Sequence, residues 1–508
     1  MMTAGNSNSK PFMIVALTVA IMVAGSAIGV AQVSSLVKAV RQLDRSSIDD
    51  FIQQGVDVST PAPDGTTALH WAAHHGDLEI VHRLIDAGGD VSALNRYGIA
   101  PIWLAAQNGH ADVVETFLSA GVDPETTRGD SGETVLMIAA RAGHVDVLQQ
   151  LIAFTADVNA RELVRGQTAL MWAAAERHRD AVKLLAGAGA DLEVRSKFGM
   201  TPFMFAIRGG DIDVIQEMLD QGADLATTGP DGTTALVLAI INAHWELAAY
   251  LLDMGADPNA NDPLHGSPLH ALTFMRRAEN RGLSAWLPRS PTGNIDSIEL
   301  AEALLGRGAG INDRLNWKPG QTPQHMAHGM FPGTGYDGAT PFFIASKNCD
   351  VEFMKFLLAA GADPSISTSN QVTPLLAAAG VGYVIGESPG TPEEALEAVR
   401  LLHGVGNDVE AVAFPSVESQ GSYSYSEQCE GQGGGGWGGG TALHGAVVRG
   451  AEGLVKWLIA QGVRLDYTMT CGTTALDVAE GSSLGINYNV QPGLAAIIRE
   501  AMLAQGNQ

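Results

Sequence analysis

Three cysteines in 508 residues, Cys349, Cys429 and Cys471, are too few for a disulfide framework, and they supply no CxxC pair for zinc. In an oxidising compartment a single bridge between Cys429 and Cys471 stays open, since sequence alone does not set their separation. Cations are scarce as well: 30 Lys and Arg face 55 Asp and Glu, a formal net charge of −25. Such a surface repels nucleic acid and anionic headgroups, so neither is an expected partner. On net charge alone it favours a basic partner, or simply keeps a long chain soluble. Motifs of catalysis are missing too. There is no Walker A, HExxH or dinucleotide-binding fingerprint. The stretch 431–440 holds eight Gly broken by Gln432 and Trp437, but it lacks the preceding strand and the Gly-Lys-Ser/Thr ending that a phosphate cradle needs. No enzyme, catalytic residue, metal or cofactor is expected. What remains, 46% hydrophobic and 17% charged residues, is a composition that folds.

The first 31 residues have the form of an export signal. Lys10 is the only charge among them, and it precedes an apolar run from Phe12 to Val30. Gly29-Val30-Ala31 places small residues at the −3 and −1 positions of a cleavage site. Two outcomes stay open, a cleaved signal peptide and a retained membrane anchor, because a span needs roughly 20 apolar residues. The small residues Ala24 to Ala27 favour cleavage. No Cys follows the run, which argues against a lipoprotein anchor. Either outcome takes residues 32–508 out of the cytoplasm, into a periplasm or beyond the cell.

A short pattern then recurs: Gly in a turn, Thr-Pro/Ala-Leu-X, and two small residues. It starts at Thr67, Ala100, Thr134, Thr168, Thr201, Thr234, Ser267, Thr340, Thr373, Thr441 and Thr474. The spacings are 33, 34, 34, 33, 33, 33, 73, 33, 68 and 33, so two units carry insertions. Thr caps a helix, Pro101, Pro202, Pro341 and Pro374 suit its first position, and Leu69, Leu136, Leu170 and Leu236 begin an apolar stripe. Ala pairs such as Ala72-Ala73 and Ala105-Ala106 let a neighbouring helix approach. Gly76, Gly109 or Gly143 ends the first helix. A second helical stretch, such as Ile80 to Ile85, runs to Gly88, Gly121, Gly189, Gly222, Gly255 or Gly361. A helix-loop-helix-turn unit of this size cannot bury both faces, so neighbours must stack.

These residues resemble the ankyrin repeat, whose period is 33 and whose signature is Thr-Pro-Leu-His. The nearest matches are Thr67-Ala68-Leu69-His70, Ser267-Pro268-Leu269-His270 and Thr441-Ala442-Leu443-His444, with Gly-His at Gly109-His110 and Gly143-His144. Elsewhere the signature His becomes Met137, Met171, Met204, Val237, Phe343 or Leu376, which trades an inter-repeat hydrogen bond for packing. The resemblance covers roughly 36–505 and implies an all-α ankyrin-repeat solenoid. It divides as a signal or anchor (1–31), an N-terminal cap (32–63), regular repeats (64–266), a repeat with insertions (267–339), a repeat (340–372), a second with insertions and the Gly-rich loop (373–440), and a final repeat with a C-terminal cap (441–508). That amounts to about eleven repeats and an N-terminal cap. In the cap, Leu36, Val37, Val40, Leu43, Ile48, Phe51 and Ile52 read as core residues. The last helix, 494–503, carries Ile497, Ile498 and Leu503 as its apolar residues.

Metal chemistry has two candidates, and both are weak. His70 and His74 are spaced i, i+4, with His75 beside them, but His70 is the signature His. His325 and His328 fall in the first insertion, without a carboxylate partner. Binding has better ones. The resemblance implies that turn residues before the Thr tetrapeptide, and those ending the first helix, line a concave side. Aromatic and large apolar residues occupy such places: Tyr97, Ile99, Phe198, Met200, Tyr336 and Trp437. Arg96, Arg141, Arg165, Arg208, Lys347 and Arg449 stand among them. Aromatics and Arg are enriched at interface centres, so these turns are expected to hold a partner protein, one acidic or mixed in charge despite the acidic chain. The bland alternative is that each aromatic packs on its neighbouring turn. The expected function is an exported, monomeric, non-catalytic protein-binding scaffold. Two alternatives stand beside it: an enzyme or metal site built from the insertions 276–335 and 380–436, and a secreted effector.

Overall fold

The computed structural model describes residues 36–276, 292–316, 336–382, 389–413, 439–469, 472–481 and 490–506. Every recurring start stands at the N-terminus of a helix. Thr134, Thr168, Thr201, Thr234, Thr340, Thr373 and Thr474 lie in extended backbone, and each hydroxyl accepts the backbone N–H three residues on. Thr67, Ser267 and Thr441 instead form reciprocal capping boxes with His70, His270 and His444. Ala100 has no hydroxyl to offer, and Pro101 at the first helical position removes one unpaired donor there.

The chain divides after Asp224 into two compact units. In the first unit the opening helices of the repeats are Ala68–His75, Pro101–Gln107, Val135–Ala142, Ala169–Ala175 and Pro202–Gly209. The second helices are Leu78–Asp86, Ala111–Ser119, Val145–Ala153, Arg179–Gly187 and Ile212–Asp220. First helices pack on first helices and second on second, giving two layers. The core between them is Leu69, Leu136 and Leu170 against Leu84, Val114, Leu148 and Leu185, all fully buried. The buried pairs Ala72-Ala73, Ala105-Ala106, Ala139-Ala140 and Ala173-Ala174 carry no bulk, which is what lets adjacent first helices touch. Ahead of these lies a pair formed by 36–41 and Arg45–Gln53. Leu36, Val37, Val40 and Ile48 are buried in it as expected. Leu43 is not: it turns the chain between the two helices at φ 56° and is exposed.

The turn between the helices of a repeat explains two recurrent residues. Gly76, Gly143 and Gly210 end the first helix in the left-handed region. At the same place other repeats force Arg177, Ala243 and Cys349 to φ between 53° and 65°. The residue that follows is Asp or His. Asp77 and Asp211 cap their own second helix. His110, His144 and His178 reach the preceding repeat instead, where Nε2–H donates to the carbonyls of His74, Gln107 and Arg141 at 3.2, 3.1 and 3.0 Å. These rings fill the space beside the glycines: a Cβ on Gly143 would lie 2.5 Å from His178 Nδ1. Gly143→Ala therefore imposes left-handed strain and displaces that ring. It is expected to cost about 2–3 kcal/mol, from the 1–2 kcal/mol of strain and one lost hydrogen bond. Thermal unfolding should show the loss, while Arg177→Gly should show none.

In the second unit the first helices are Ala235–Ile241, Pro268–Met275, Pro341–Lys347, Pro374–Ala379, Ala442–Arg449 and Ala475–Ala479. They pack in this order, so the layer is continuous across both insertions. Their partners are Trp245–Asp253, Ser297–Gly306, Val351–Ala359, Pro392–Gly404, Glu452–Ala460 and Pro492–Gly506. The hairpin insertions leave from closed necks. Leu315 N–H donates to Ala339 O at 2.8 Å and Gly338 N–H to Leu315 O at 2.7 Å; Ala413, Gly439 and Gly440 repeat that pattern. In the last helix Ile498 is buried and Ile497 half-buried, whereas Leu503 lies beyond the final packed turn and is exposed. Strand is confined to Thr127–Arg128 paired with Glu133–Thr134, and to isolated bridges, among the described residues. Cys349 is buried, its thiol 3.6 Å from Ala378 O; Cys429 and Cys471 lie outside the described residues, as does the apolar run 12–30. No helix among the described residues is long and apolar enough to cross a membrane.

Candidate functional site

The tips of the hairpins in the first unit form a hydrogen-bonded row. Arg96 N–H donates to Asp64 O, Gly129 N–H to Gly98 O, Leu163 N–H to Ser131 O and Lys197 N–H to Arg165 O, all between 2.8 and 3.1 Å. Each tip is also braced within itself. Asn95 Oδ1 accepts from the N–H groups of Tyr97 and Ile99 at 2.9 and 3.1 Å. Buried Glu162 accepts from the N–H groups of Val164, Arg165 and Gln167 at 2.6 to 2.9 Å. Their carbonyls and amides being engaged, the tips present side chains to solvent. Tyr97 is 69% exposed and Phe198 67%. Leu94, Leu163 and Val164 are exposed beside them, as are Arg96 and Arg165. Ile99 and Met200 are half-buried at the foot of their turns. Ile99 O receives His70 Nε2–H at 2.9 Å, so this residue ties repeats together.

The first helices continue this surface. Arg141 lies with its guanidinium carbon 4.7 Å from the Trp172 ring centroid, and Arg208 is exposed. Half-buried Trp71, Leu104, Trp172 and Phe205 each stand four residues after their repeat start. Sequence reasoning passed over them, although the fixed offset of a large apolar residue beyond the buried Leu was the signal. At the N-terminal end Trp71 meets the His74 ring edge-on at 5.7 Å, with Arg41 5.5 Å over its own ring.

Charge is divided between the two layers. The five first helices from Ala68 to Gly209 contain no Asp or Glu, and hold Arg141 and Arg208. The six second helices from Arg45 to Asp220 carry Asp49, Asp50, Glu79, Asp86, Asp112, Glu115, Asp146, Asp180, Asp213, Glu217 and Asp220. Only Arg45, Arg83, Arg179 and Lys183 oppose these eleven carboxylates.

Two expected surface residues of the second unit are in fact buried. Tyr336 is 4% exposed, packed edge-on against Phe274 at 5.1 Å. Lys347 is 1% exposed, its Nζ 4.6 Å from the Tyr336 ring. The ring face shelters an ammonium, and the stack of phenyl and phenol edges encloses both. Neither faces solvent. Arg449 is half-buried and donates to Pro389 O at 2.7 Å. Trp437 lies outside the described residues.

The described histidines do not gather into a metal site. His70 spends both ring nitrogens within the fold, at Ile99 O and at Thr67, and burial holds its pKa below the ordinary value. His74 turns outward, with Nδ1 2.9 Å from the Asn108 amide. His265 bonds Asp262 at 3.1 Å. Among the described residues no group of three His, Cys, Asp or Glu could hold a metal; His325 and His328 lie outside them.

Ankyrin-repeat family models match residues 36–128, 105–196 and 182–262, and a single-repeat model matches 337–369. Together these span about half of the chain. Two solved structures are similar. The ankyrin repeat domain of human ASB11 is 25% identical, covering 40% of this chain and 90% of that one, with a TM-score of 0.38. That of Bcl-3, a member of the IkappaB protein family, is 28% identical, covering 41% and 94%, with a TM-score of 0.37. No curated protein sequence matches.

Proposed function

The chain belongs to the ankyrin-repeat family, a family of protein-interaction scaffolds, and we propose that it is an exported, non-catalytic member that holds one partner protein on the hairpin tips and first helices of its first unit. One observation carries the reading. Tyr97 and Phe198 stand exposed on braced tips, with exposed Leu94, Leu163 and Val164 along the same row. Rigid aromatics on an immobile scaffold lose little entropy on binding, which is why they serve as interface anchors. Export rests on the apolar run that follows Lys10.

The test is capture. The tagged full-length chain, expressed in its own source, is cross-linked and purified beside a Tyr97→Ala/Phe198→Ala variant. One protein is expected to be captured at least tenfold more by the natural chain, with the same thermal unfolding midpoint for both. Equal capture would move the site off the tips, and no specific capture would remove the scaffold reading. Fractionation of the same cells checks export, which recovery in the cytoplasm would refute.

A further inference from the structure

The division of charge between the two helix layers says what kind of partner fits. We propose that the first unit takes an acidic polypeptide segment bearing aromatic or aliphatic side chains, against the sign that the chain's net charge suggests. This rests on the scaffold reading above and names its ligand.

No carboxylate lies within the first helices, Glu176 capping the end of one, whereas eleven are carried by the second helices. The net charge of −25 thus describes the wrong face for predicting what the first layer binds. At the tips the cations Arg96, Arg128, Arg165 and Lys197 stand beside four acids, Asp64, Asp130, Glu133 and Glu162, two of which are held within the fold. Glu162 is buried and satisfied by three backbone N–H groups, and Glu133 faces Arg128 at 3.6 Å. Arg141 over Trp172, at 4.7 Å, is a pre-set guanidinium–indole platform. A guanidinium fixed on a ring keeps its donors for a carboxylate and has less side-chain freedom left to lose. Apolar side chains of the same segment would cover Trp172, Phe205 and the exposed Tyr97 and Phe198. At a range beyond a Debye length of about 8 Å the acidic second layer is screened at physiological salt, so it does not forbid this approach. It does disfavour nucleic acid, whose phosphates run continuously along a long strand and cannot stay within one narrow strip.

The probe is a fluorescein-labelled peptide of four Glu-Glu-Tyr-Leu units, titrated with the full-length chain at 50 mM salt. Saturable binding is expected, weakened at least tenfold by Arg141→Glu/Arg208→Glu and less than twofold by Arg179→Glu/Lys183→Glu on the second layer. Both variants change net charge by −4, so loss of general attraction is the same in each. Arg141→Gln, the milder change, should still weaken binding several-fold if the double variant unfolds. No binding, or equal loss in both double variants, overturns the proposal. So does tighter binding of a single-stranded oligothymidylate with the same pattern of loss. If a partner is captured through Tyr97 and Phe198 while the peptide fails, the charge assignment falls and the scaffold reading stands.

Discussion

Arg276→Met is expected to lower the stability of the second unit by about 3–5 kcal/mol, the range for removing one member of a buried ion pair. Arg276 follows the helix Pro268–Met275 and is almost fully enclosed. Its Nε and one terminal nitrogen donate to Asp350 at 2.7 and 3.3 Å, and the latter also to Glu352 at 2.8 Å. The other terminal nitrogen donates to Ser297 Oγ, and the guanidinium lies 4.4 Å over the Phe353 ring. One side chain thus joins the end of a first helix, the start of its own second helix beyond the insertion, and the next repeat. Removing it strands the Asp350 carboxylate, which is equally buried. The Glu352 arm matters little, because that carboxylate is largely exposed; Glu352→Gln should cost under about 1 kcal/mol. Urea unfolding of the full chain, with hydrogen exchange over 341–359 as the local reporter, measures both. A loss below about 1 kcal/mol for Arg276→Met would mean that Asp350 is content with the Phe353 N–H it already caps at 3.2 Å.

That network also marks the limit of what a sequence discloses. The repeat was legible because its physics is local. A Thr cap, a Leu, two alanines and a left-handed Gly recur at 33 residues, and each can be judged within its own turn. The His-for-Met exchange was legible for the same reason. His70, His270 and His444 do reach the next repeat, at Ile99, Ala339 and Thr473, while Met137 and Met171 are simply packed. Exposure was not local. Tyr97 and Tyr336 look alike in sequence, both in turns ahead of a start, yet one projects into solvent and the other lies against Phe274. Leu43, past the end of a helix, and Leu503, in the last turn of one, are exposed because neither has anything to pack on. Arg276 drew no notice because its partners are 21 to 76 residues away. The charge division needed helices sorted into layers before residues were counted, and net charge hid it.

The second large effect concerns pH. His270 and His444 are buried, and burial lowers the pKa of each from 6.5 to about 4. Hydrogen bonding explains why protonation is unwelcome. Nδ1 of His270 accepts from the Ser267 N–H at 3.3 Å and lies 2.7 Å from its hydroxyl; Nδ1 of His444 does the same with Thr441 at 3.4 and 2.8 Å. Nε2–H donates to the next repeat at Ala339 O and Thr473 O. A second ring proton would point into a backbone N–H. The sign follows from linkage: the folded pKa is depressed, so the unfolded chain binds protons that the folded chain refuses. Stability contributed by each ring is intact above about pH 6.5 and falls as pH drops through the interval from 6.5 to 4. Between pH 7.5 and pH 5 each ring should account for about 2 kcal/mol of lost stability, at 1.36 kcal/mol per pKa unit. His444→Met tests this with a residue that other repeats of the chain already use at the same place, Met137 and Met171 among them. The variant should lose the hydrogen bond and be less stable at pH 7.5, by about 1 kcal/mol. Its stability should then decline with acid by about 2 kcal/mol less than the natural chain's, so that near pH 5 it is the more stable of the two. Parallel decline of the two chains between pH 7.5 and 5, in matched denaturant titrations, would show that the His444 ring is protonated in the folded state as readily as in the unfolded one.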